Sequence, residues 1–472
     1  MTDGVFLGLD LATAGARLVA IDPAGDVLAE TSAPLPAPYR ARDGHAEQTP
    51  DYLPVARTLL SELTALLGER AGDIRALSVT GTSGTVVPCD AQGRPRGAAL
   101  LYSDQRASEQ MSQLVAAGLP ASATSSLARI GWLQRHAPAP RYLHTPDVVV
   151  AGLMAQVPAT DTSHALKAGI DPVTARWDER ALGVVSVPLS SVPELVHPGT
   201  VLGRVHPDKA AGCGLPGDVQ LVAGMTDGCT AQLAAGAVHP GDTVGVLGTT
   251  LVLKAVSERP VSGFGGAVYS HYAPDGRFWP GGASNVGAGL VGEEFASADL
   301  DQLQRQAAAL GPAPAIRYPL PGIGERFPFR HPDAVGFQLG QATTPAAAFR
   351  TLLEGVAFAE RLGLEALADS GVQLGAHRVA GGGSRNDLWN QIRATVLDRP
   401  VTRPQRASSG MGAALLALAS WSGASLTETV DRTQHHEAVF EPDPAERSRL
   451  HDSYQHLRMA LAERGYLAVA HV

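Results

Sequence analysis

Gln220-Leu221-Val222-Ala223-Gly224-Met225-Thr226-Asp227-Gly228-Cys229-Thr230-Ala231 is an apolar run of strand length that ends in glycine and an acid, then continues in small residues suited to a closely packed helix. The pattern places Asp227 at a strand end. Past Pro240-Gly241-Asp242 the chain reads Gly245-Val246-Leu247-Gly248-Thr249-Thr250-Leu251-Val252-Leu253, a β-hairpin over 243–256 whose turn carries a glycine and two hydroxyls able to donate to an anion. A carboxylate close in sequence to an anion-binding turn is the equipment for moving a phosphoryl group. Taken singly, Asp-Gly after a strand and Gly-Thr-Thr at a hairpin tip are common turns. Repetition of the device is what gives it weight.

The repeat lies at the N-terminus. Val5-Phe6-Leu7-Gly8-Leu9-Asp10-Leu11 reads as a buried strand, Ala12-Thr13-Ala14-Gly15 as a turn of small residues, and Ala16 to Ile21 as the returning strand before a further turn at Asp22-Pro23-Ala24-Gly25-Asp26. Two such units far apart in one chain predict two related halves facing one another.

A chain of 472 residues is too long for one core and predicts two domains, divided as 1–235 and 236–472. Hydrophobic content of 44% with 18% charged residues is that of a globular protein with full cores. The net charge of -9 and the absence of a Lys/Arg run argue against nucleic acid and for a small-molecule partner. The cysteines, Cys89, Cys213 and Cys229, are odd in number and form no CxxC, which suits a reducing cytoplasm and argues against a structural zinc. Cys229, close to Asp227, reads as a small buried residue rather than a nucleophile. The N-terminus has no basic region ahead of its apolar run, and the longest apolar helix candidate, 411–421, falls short of the roughly 20 residues a membrane span needs. The expectation is a cytoplasmic protein, monomer or homodimer, without a membrane or nucleic-acid partner.

Elsewhere, an apolar stripe at Leu53, Ala56, Leu59, Leu60, Leu63, Leu66 and Leu67 predicts a helix over 51–67 that covers one face of the first sheet. Ile74 to Thr80 reads as a strand running into Gly81-Thr82-Ser83-Gly84-Thr85, a hydroxyl-bearing loop suited to a polyol, since ligands gather at strand ends in α/β sheets. Asp104 and Arg106 read as a surface ion pair. The irregular region 119–217, with its polar segment Asp161-Thr162-Ser163-His164-Ala165-Leu166-Lys167, reads as an insertion that shapes substrate access. A long helix is expected over 345–368. Arg378-Val379-Ala380 then breaks into Gly381-Gly382-Gly383-Ser384-Arg385-Asn386, which permits close approach to a flat ligand that Asn386 can hydrogen-bond. This run is not GxGxxG followed by an acid, so a nicotinamide site is disfavoured.

With these motifs quoted, the whole chain resembles a sugar kinase of the FGGY family, built on the duplicated actin and hexokinase (ribonuclease H-like) α/β fold with a cleft between two domains. The resemblance is carried by Leu9-Asp10, Gly224-Met225-Thr226-Asp227, Leu247-Gly248-Thr249-Thr250 and Gly381 to Asn386. Within the family, Gly81 to Val86, Thr124-Ser125-Ser126-Leu127-Ala128, Ser163 to Lys167, Val268 to His271, Gly281 to Asn285 and Gly324-Glu325-Arg326-Phe327-Pro328 resemble the plant and cyanobacterial D-ribulose kinase branch, sometimes labelled xylulose kinase-like. Members acting on xylulose mostly have Gln-Met where this chain has Thr82-Ser83.

The resemblance implies ATP and Mg²⁺ as cofactors and Asp227 as the general base for the sugar hydroxyl. A carboxylate suits that role because the hydroxyl needs positioning and loses its proton late, while charge on the phosphoryl group is the larger problem. It also implies Asp10 as the Mg²⁺ residue, holding the ion through water, and sugar contacts from Asp10, Thr13, Gly15, Ser83 and Asp227. Asp104, Asp161 and Lys167 are weaker candidates. The nucleotide would be held by Thr13, Gly248, Thr249, Thr250, Gly382, Gly383 and Asn386. One departure stands out: the family's first turn usually reads Gly-Thr-Ser, and here it is Ala12-Thr13-Ala14, one hydroxyl fewer. The leading activity is phosphorylation of D-ribulose to D-ribulose 5-phosphate. The alternatives are a kinase for D-xylulose, ribitol or glycerol, and a degenerate sugar or nucleotide sensor that has lost turnover.

Overall fold

The computed structural model describes all residues except 1–3, 120, 122–124, 172–173 and 468–472; Thr124 of the quoted 124–128 motif thus lies outside the described residues. The chain forms two compact units. The first comprises Met1–Ala234, His271–Gly276 and Ser408–Thr433, and the second Ala235–Ser270, Arg277–Ala407 and Gln434–Val472.

In the first unit, strands β1 (Val5–Leu11), β2 (Gly15–Ile21), β3 (Val27–Pro34), β4 (Ile74–Gly81), β5 (Val201–Arg204) and β6 (Gln220–Val222) form a sheet in the order β5-β6-β4-β1-β2-β3. The alternating turns expected from sequence make β1, β2 and β3 an antiparallel meander, while β4 runs parallel to β1 and β6 parallel to β4. Helix Tyr52–Leu67 buries the middle of the predicted stripe, with Ala56, Leu59, Leu60 and Leu63 fully covered, whereas Leu66 in the last turn is exposed.

The second unit repeats the topology. Strands β7 (Thr243–Leu247), β8 (Leu251–Ala255), β9 (Phe278–Ser284), β10 (His377–Ala380), β11 (Val401–Pro404) and β12 (His436–Phe440) lie in the order β9-β8-β7-β10-β11-β12. Here β7, β8 and β9 are the meander, β10 is parallel to β7, β11 is parallel to β10, and β12 closes the edge antiparallel. The two sheets differ at their edges: the antiparallel edge strand precedes its neighbour in the first unit and follows it in the second, and the second sheet carries a seventh strand, Tyr269–Tyr272, outside β9.

The expected single division at 235/236 is crossed by helix Ser409–Ser422, which belongs to the first unit. Its run of Gly410, Met411, Gly412, Ala413, Ala414 and Leu415 is buried all round, and its small residues allow backbone-to-backbone packing. A Cβ added to Gly8 would lie 2.0 Å from the Gly410 carbonyl oxygen, and one added to Gly412 would lie 1.9 Å from that of Thr230. A helix apolar on every face must be covered on every face. Among the described residues no helix is long and apolar enough to cross a membrane.

Candidate functional site

Register decides what meets at the carboxyl ends of the first sheet. In the parallel pair Asp10 stands opposite Thr80 and Leu11 opposite Gly81, and Gly81 in turn bridges to Thr226. Asp10, the Gly81–Thr85 loop and Asp227 therefore leave three neighbouring parallel strands side by side, the position where α/β sheets bind ligands. Asp227 opens helix Asp227–Ala234, half-buried, with Oδ1 accepting from the Gly228 amide at 2.7 Å. Asp10 Oδ1 and Ser83 Oγ are buried atoms with no hydrogen-bond partner in the protein. Burial first, and the Asp227 charge second, push the Asp10 carboxyl up to about 7 against a smaller opposing pull from Arg17. An orphaned acceptor beside a second acid is equipped to take a cation or a hydroxyl from a ligand.

The first turn is held from outside. Ala12 donates to the Gly15 carbonyl at 3.0 Å, and Gln48 Nε2 donates to the Thr13 carbonyl at 2.8 Å. Gly15 is required where it stands, since a Cβ there would come 2.9 Å from the Ala33 carbonyl oxygen. The Ser83 loop is held by Arg129, which donates to the Gly84 carbonyl at 2.8 Å where the chain turns through φ +93. Burial lowers the Arg129 guanidinium to about 10. An arginine on the apolar face of helix Ser126–His136 was the signal that sequence reading passed over.

Asp104 and Arg106 do pair, but not on the surface. Asp104 is 1% exposed, accepts from the Ala46 amide at 2.6 Å and holds Arg106 at 2.8 Å, with Glu47 the second partner of Arg106 at 2.8 Å. Strand pairing by 46–48 covers them, which the local sequence could not reveal. Asp161 is likewise buried and spent within the protein, capping helix Thr162–Ala165 and pairing with His164 at 2.7 Å. Lys167 is half-buried, its carbonyl accepting from Ser125 Oγ at 3.3 Å. Cys229 is buried, packed against the hydroxyls of Ser163 and Thr226.

In the second unit the β7–β8 turn and the glycine run are neighbours. A Cβ on Gly381, itself at φ +82, would lie 2.5 Å from the Leu247 carbonyl oxygen, and one on Gly383 would lie 2.6 Å from Leu247 Cδ2. Gly382 alone faces open space. Gly248 spends its amide on the Thr250 carbonyl at 3.0 Å, which leaves Thr249 and Thr250 to present the turn's outward donors. Asn386 is half-buried, its Oδ1 capping helix Asp387–Leu397 through the Trp389 amide at 2.9 Å. Thr249 and Thr250 line a cavity of about 240 Å³ with Asn285, Gly289, Leu290 and Glu293. Its wall is fixed by Glu325, a residue quoted only as part of a motif, whose buried carboxylate accepts from Ser284 Oγ, the Asn285 amide and Tyr318 Oη, each at 2.8 Å.

Among the described residues no group of three or more His, Cys, Asp or Glu could hold a metal ion. Mg²⁺ beside phosphates is commonly held by one or two carboxylates with water and substrate oxygens, so it does not require such a cluster.

The chain matches the N-terminal domain of the FGGY family of carbohydrate kinases over residues 5–234 and the C-terminal domain of the same family over residues 243–421. It is 26% identical to a xylulose kinase of Bacillus subtilis, covering 92% of each chain, and 27% identical to a glycerol kinase of Bordetella parapertussis, again over 92% of each. The solved structure of a xyloylose kinase from Brucella ovis superposes with a TM-score of 0.90 at 24% identity, covering 98% of this chain and 99% of that one. The likeness establishes two domains of the actin and hexokinase-like fold. The chain belongs to the FGGY family of carbohydrate kinases and is an ATP-dependent sugar or polyol kinase.

Proposed function

We propose that this kinase transfers the γ-phosphoryl group of ATP to a hydroxyl of a ketopentose, with D-ribulose giving D-ribulose 5-phosphate as the leading reaction. The observation that carries the reading is the convergence of Asp10, Ser83 and Asp227 on neighbouring strand ends, two of them with buried oxygens that lack partners. Buried polar atoms left unpaired are costly unless a ligand satisfies them, and a polyol offers several hydroxyls at once.

Asp227 is the general base. Its carboxylate accepts the hydrogen of the attacking hydroxyl, orients the oxygen and takes the proton late, a contribution of about 10²- to 10⁴-fold. Thr13 and Gly15 complete the sugar and phosphate contacts of the first unit, and Gly248, Thr249, Thr250, Gly382, Gly383 and Asn386 hold the nucleotide in the second. Asp10 fits a Mg²⁺ role: one orphaned carboxylate oxygen, with a pKa raised by burial and a neighbouring acid, is what a divalent cation would stabilise in its charged form. Bound with ATP, Mg²⁺ neutralises phosphate charge. The setting is the cytoplasm.

D-xylulose is the second reading, favoured by the xylulose kinase likeness. A coupled ADP-release assay over D-ribulose, D-xylulose, L-ribulose, ribitol and glycerol decides between them. The proposal expects the highest kcat/KM on D-ribulose, and preference for ribitol or glycerol over all three pentuloses would overturn it.

A further inference from the structure

One four-residue turn grips two of the strand ends that carry the sugar side. Asp161 Oδ1 accepts from the His164 amide at 2.8 Å, and its other oxygen lies 2.7 Å from His164 Nδ1. The opposite ring nitrogen, Nε2, lies 3.2 Å from the carbonyl oxygen of Gly81. Beside it, Ser163 Oγ accepts from the Thr226 amide at 3.2 Å and stands 3.2 Å from both Thr226 Oγ1 and His271 Nδ1. Gly81 comes two residues before Ser83, and Thr226 one residue before Asp227. The turn thus fastens the Ser83 loop with its histidine and the Asp227 helix with its serine.

The two groups that face the His164 ring along its nitrogens are a carboxylate and a backbone carbonyl. Neither has a proton to give, so each ring nitrogen must supply its own hydrogen. We infer that His164, held as an imidazolium between Asp161 and the Gly81 carbonyl, is a positioning residue that sets the Ser83 loop against Asp227 for the acceptor sugar. Its side chain is 0% exposed and that of Asp161 3%, so neither is offered to the sugar itself.

The surroundings favour the charged ring. Burial by itself lowers the pKa of His164, but the charge and hydrogen bond of Asp161, with the charge of Asp147 and the Gly81 carbonyl, raise it above the ordinary value. Asp147 comes from helix Thr145–Met154, and His144, ahead of that helix, places its ring 5.7 Å from that of His164. Loss of the Nε2 proton at alkaline pH would set a nitrogen lone pair against the carbonyl lone pairs across 3.2 Å. The contact would turn from attractive to repulsive, and the Ser83 loop would be released.

The inference rests on the sugar kinase activity and is independent of which sugar is used, so the test takes whichever member of the panel turns over best. A charge-assisted hydrogen bond is lost in His164→Ala, and the KM for sugar should rise by about 10-fold or more with the KM for ATP unchanged. His164→Gln keeps a donor near Nε2 without a titrating ring. It should recover most of the sugar KM and flatten the alkaline limb of kcat/KM that the inference expects of the wild type. Because His164→Ala leaves a buried carboxylate unpaired, ¹⁵N-histidine NMR of the wild-type protein provides the independent reading. Two protonated ring nitrogens on His164 at pH 7 support the inference. A neutral ring at pH 7, or an alkaline limb that persists unchanged in His164→Gln, overturns it. Turnover on a polyol alone would overturn the ketopentose reading and leave the His164 result standing on that polyol.

Discussion

Replacing Glu360 with Gln strikes the buried network behind β7, the strand that runs into the turn proposed to hold the nucleotide. Glu360, His377 and Arg393 are each no more than 1% exposed. The Glu360 carboxylate accepts from Arg393 Nε at 2.6 Å, from Arg393 Nη2 at 2.5 Å and from His377 Nε2 at 3.1 Å. Arg393 also donates to the Gly245 carbonyl on β7 at 3.1 Å, and a Cβ on Gly245 would lie 2.0 Å from Glu360 Oε1, so β7 sits hard against the pair. Burial alone would raise the Glu360 pKa, but the Arg393 charge and the bonds from His377 and Arg393 hold it at about 2 against an ordinary 4.5. A depressed carboxylate stabilises the fold above its unfolded pKa and loses that contribution as pH falls through its folded one. The gap between 4.5 and about 2 corresponds to about 3 kcal/mol, lost progressively across that window. His377, kept below its ordinary 6.5 chiefly by burial, acts in the same direction, since the unfolded ring takes up a proton that the folded one resists. Glu360→Gln leaves the Arg393 charge buried against a neutral amide, at a cost of about 3–5 kcal/mol, or on the order of 10 °C in Tm for a domain of this size. Because β7 runs straight into the Gly248–Thr250 turn, the KM for ATP should rise as well. Thermal melts from pH 7 down to pH 3 test this: the variant should melt lower at pH 7 and lose less than wild type on acidification. Coincident melting curves at pH 7 would refute the reasoning.

Ser83→Ala removes a buried hydroxyl that has no protein partner, so stability should hold within about 1 kcal/mol while the KM for sugar rises; a changed melting temperature with unchanged KM would contradict this. Gly381→Ala forces a side chain into φ +82 and within 2.5 Å of the Leu247 carbonyl, so it should cost at least about 2 kcal/mol and raise the KM for ATP, as urea melts and initial rates would show. Slow ATP hydrolysis should persist without sugar, water standing in for the hydroxyl, and sugar-free ADP release at or below the blank rate would rule that out.

What the sequence disclosed was periodicity and punctuation. Val5–Ile21 and Thr243–Ala255 each read as a strand, a small-residue turn and a return, and both fold so; the strand-then-glycine breaks at Gly81, Gly224 and Gly381 end strands where the backbone packs too closely for a side chain. Non-local contacts stayed hidden. Asp104 looked solvated because nothing near it in sequence announces that residues 46–48 cover it. Helix Ser409–Ser422 gave its type through its apolar run, but its place in the first unit depends on glycines at 8 and 410, some 400 residues apart. His164 appeared as one polar residue among several, and its role is visible only through a carbonyl 83 residues away.

The account turns on Asp227, and Asp227→Asn tests it most directly. The amide keeps an oxygen for the Gly228 amide that Asp227 Oδ1 now accepts at 2.7 Å, so the fold should be retained while the proton acceptor is lost. Sugar-dependent ADP release should fall by about 10²- to 10⁴-fold, with both KM values within a few-fold of wild type. Turnover at the wild-type rate in Asp227→Asn would contradict the assignment of the base and the reading of the three converging strand ends as a phosphoryl-transfer site.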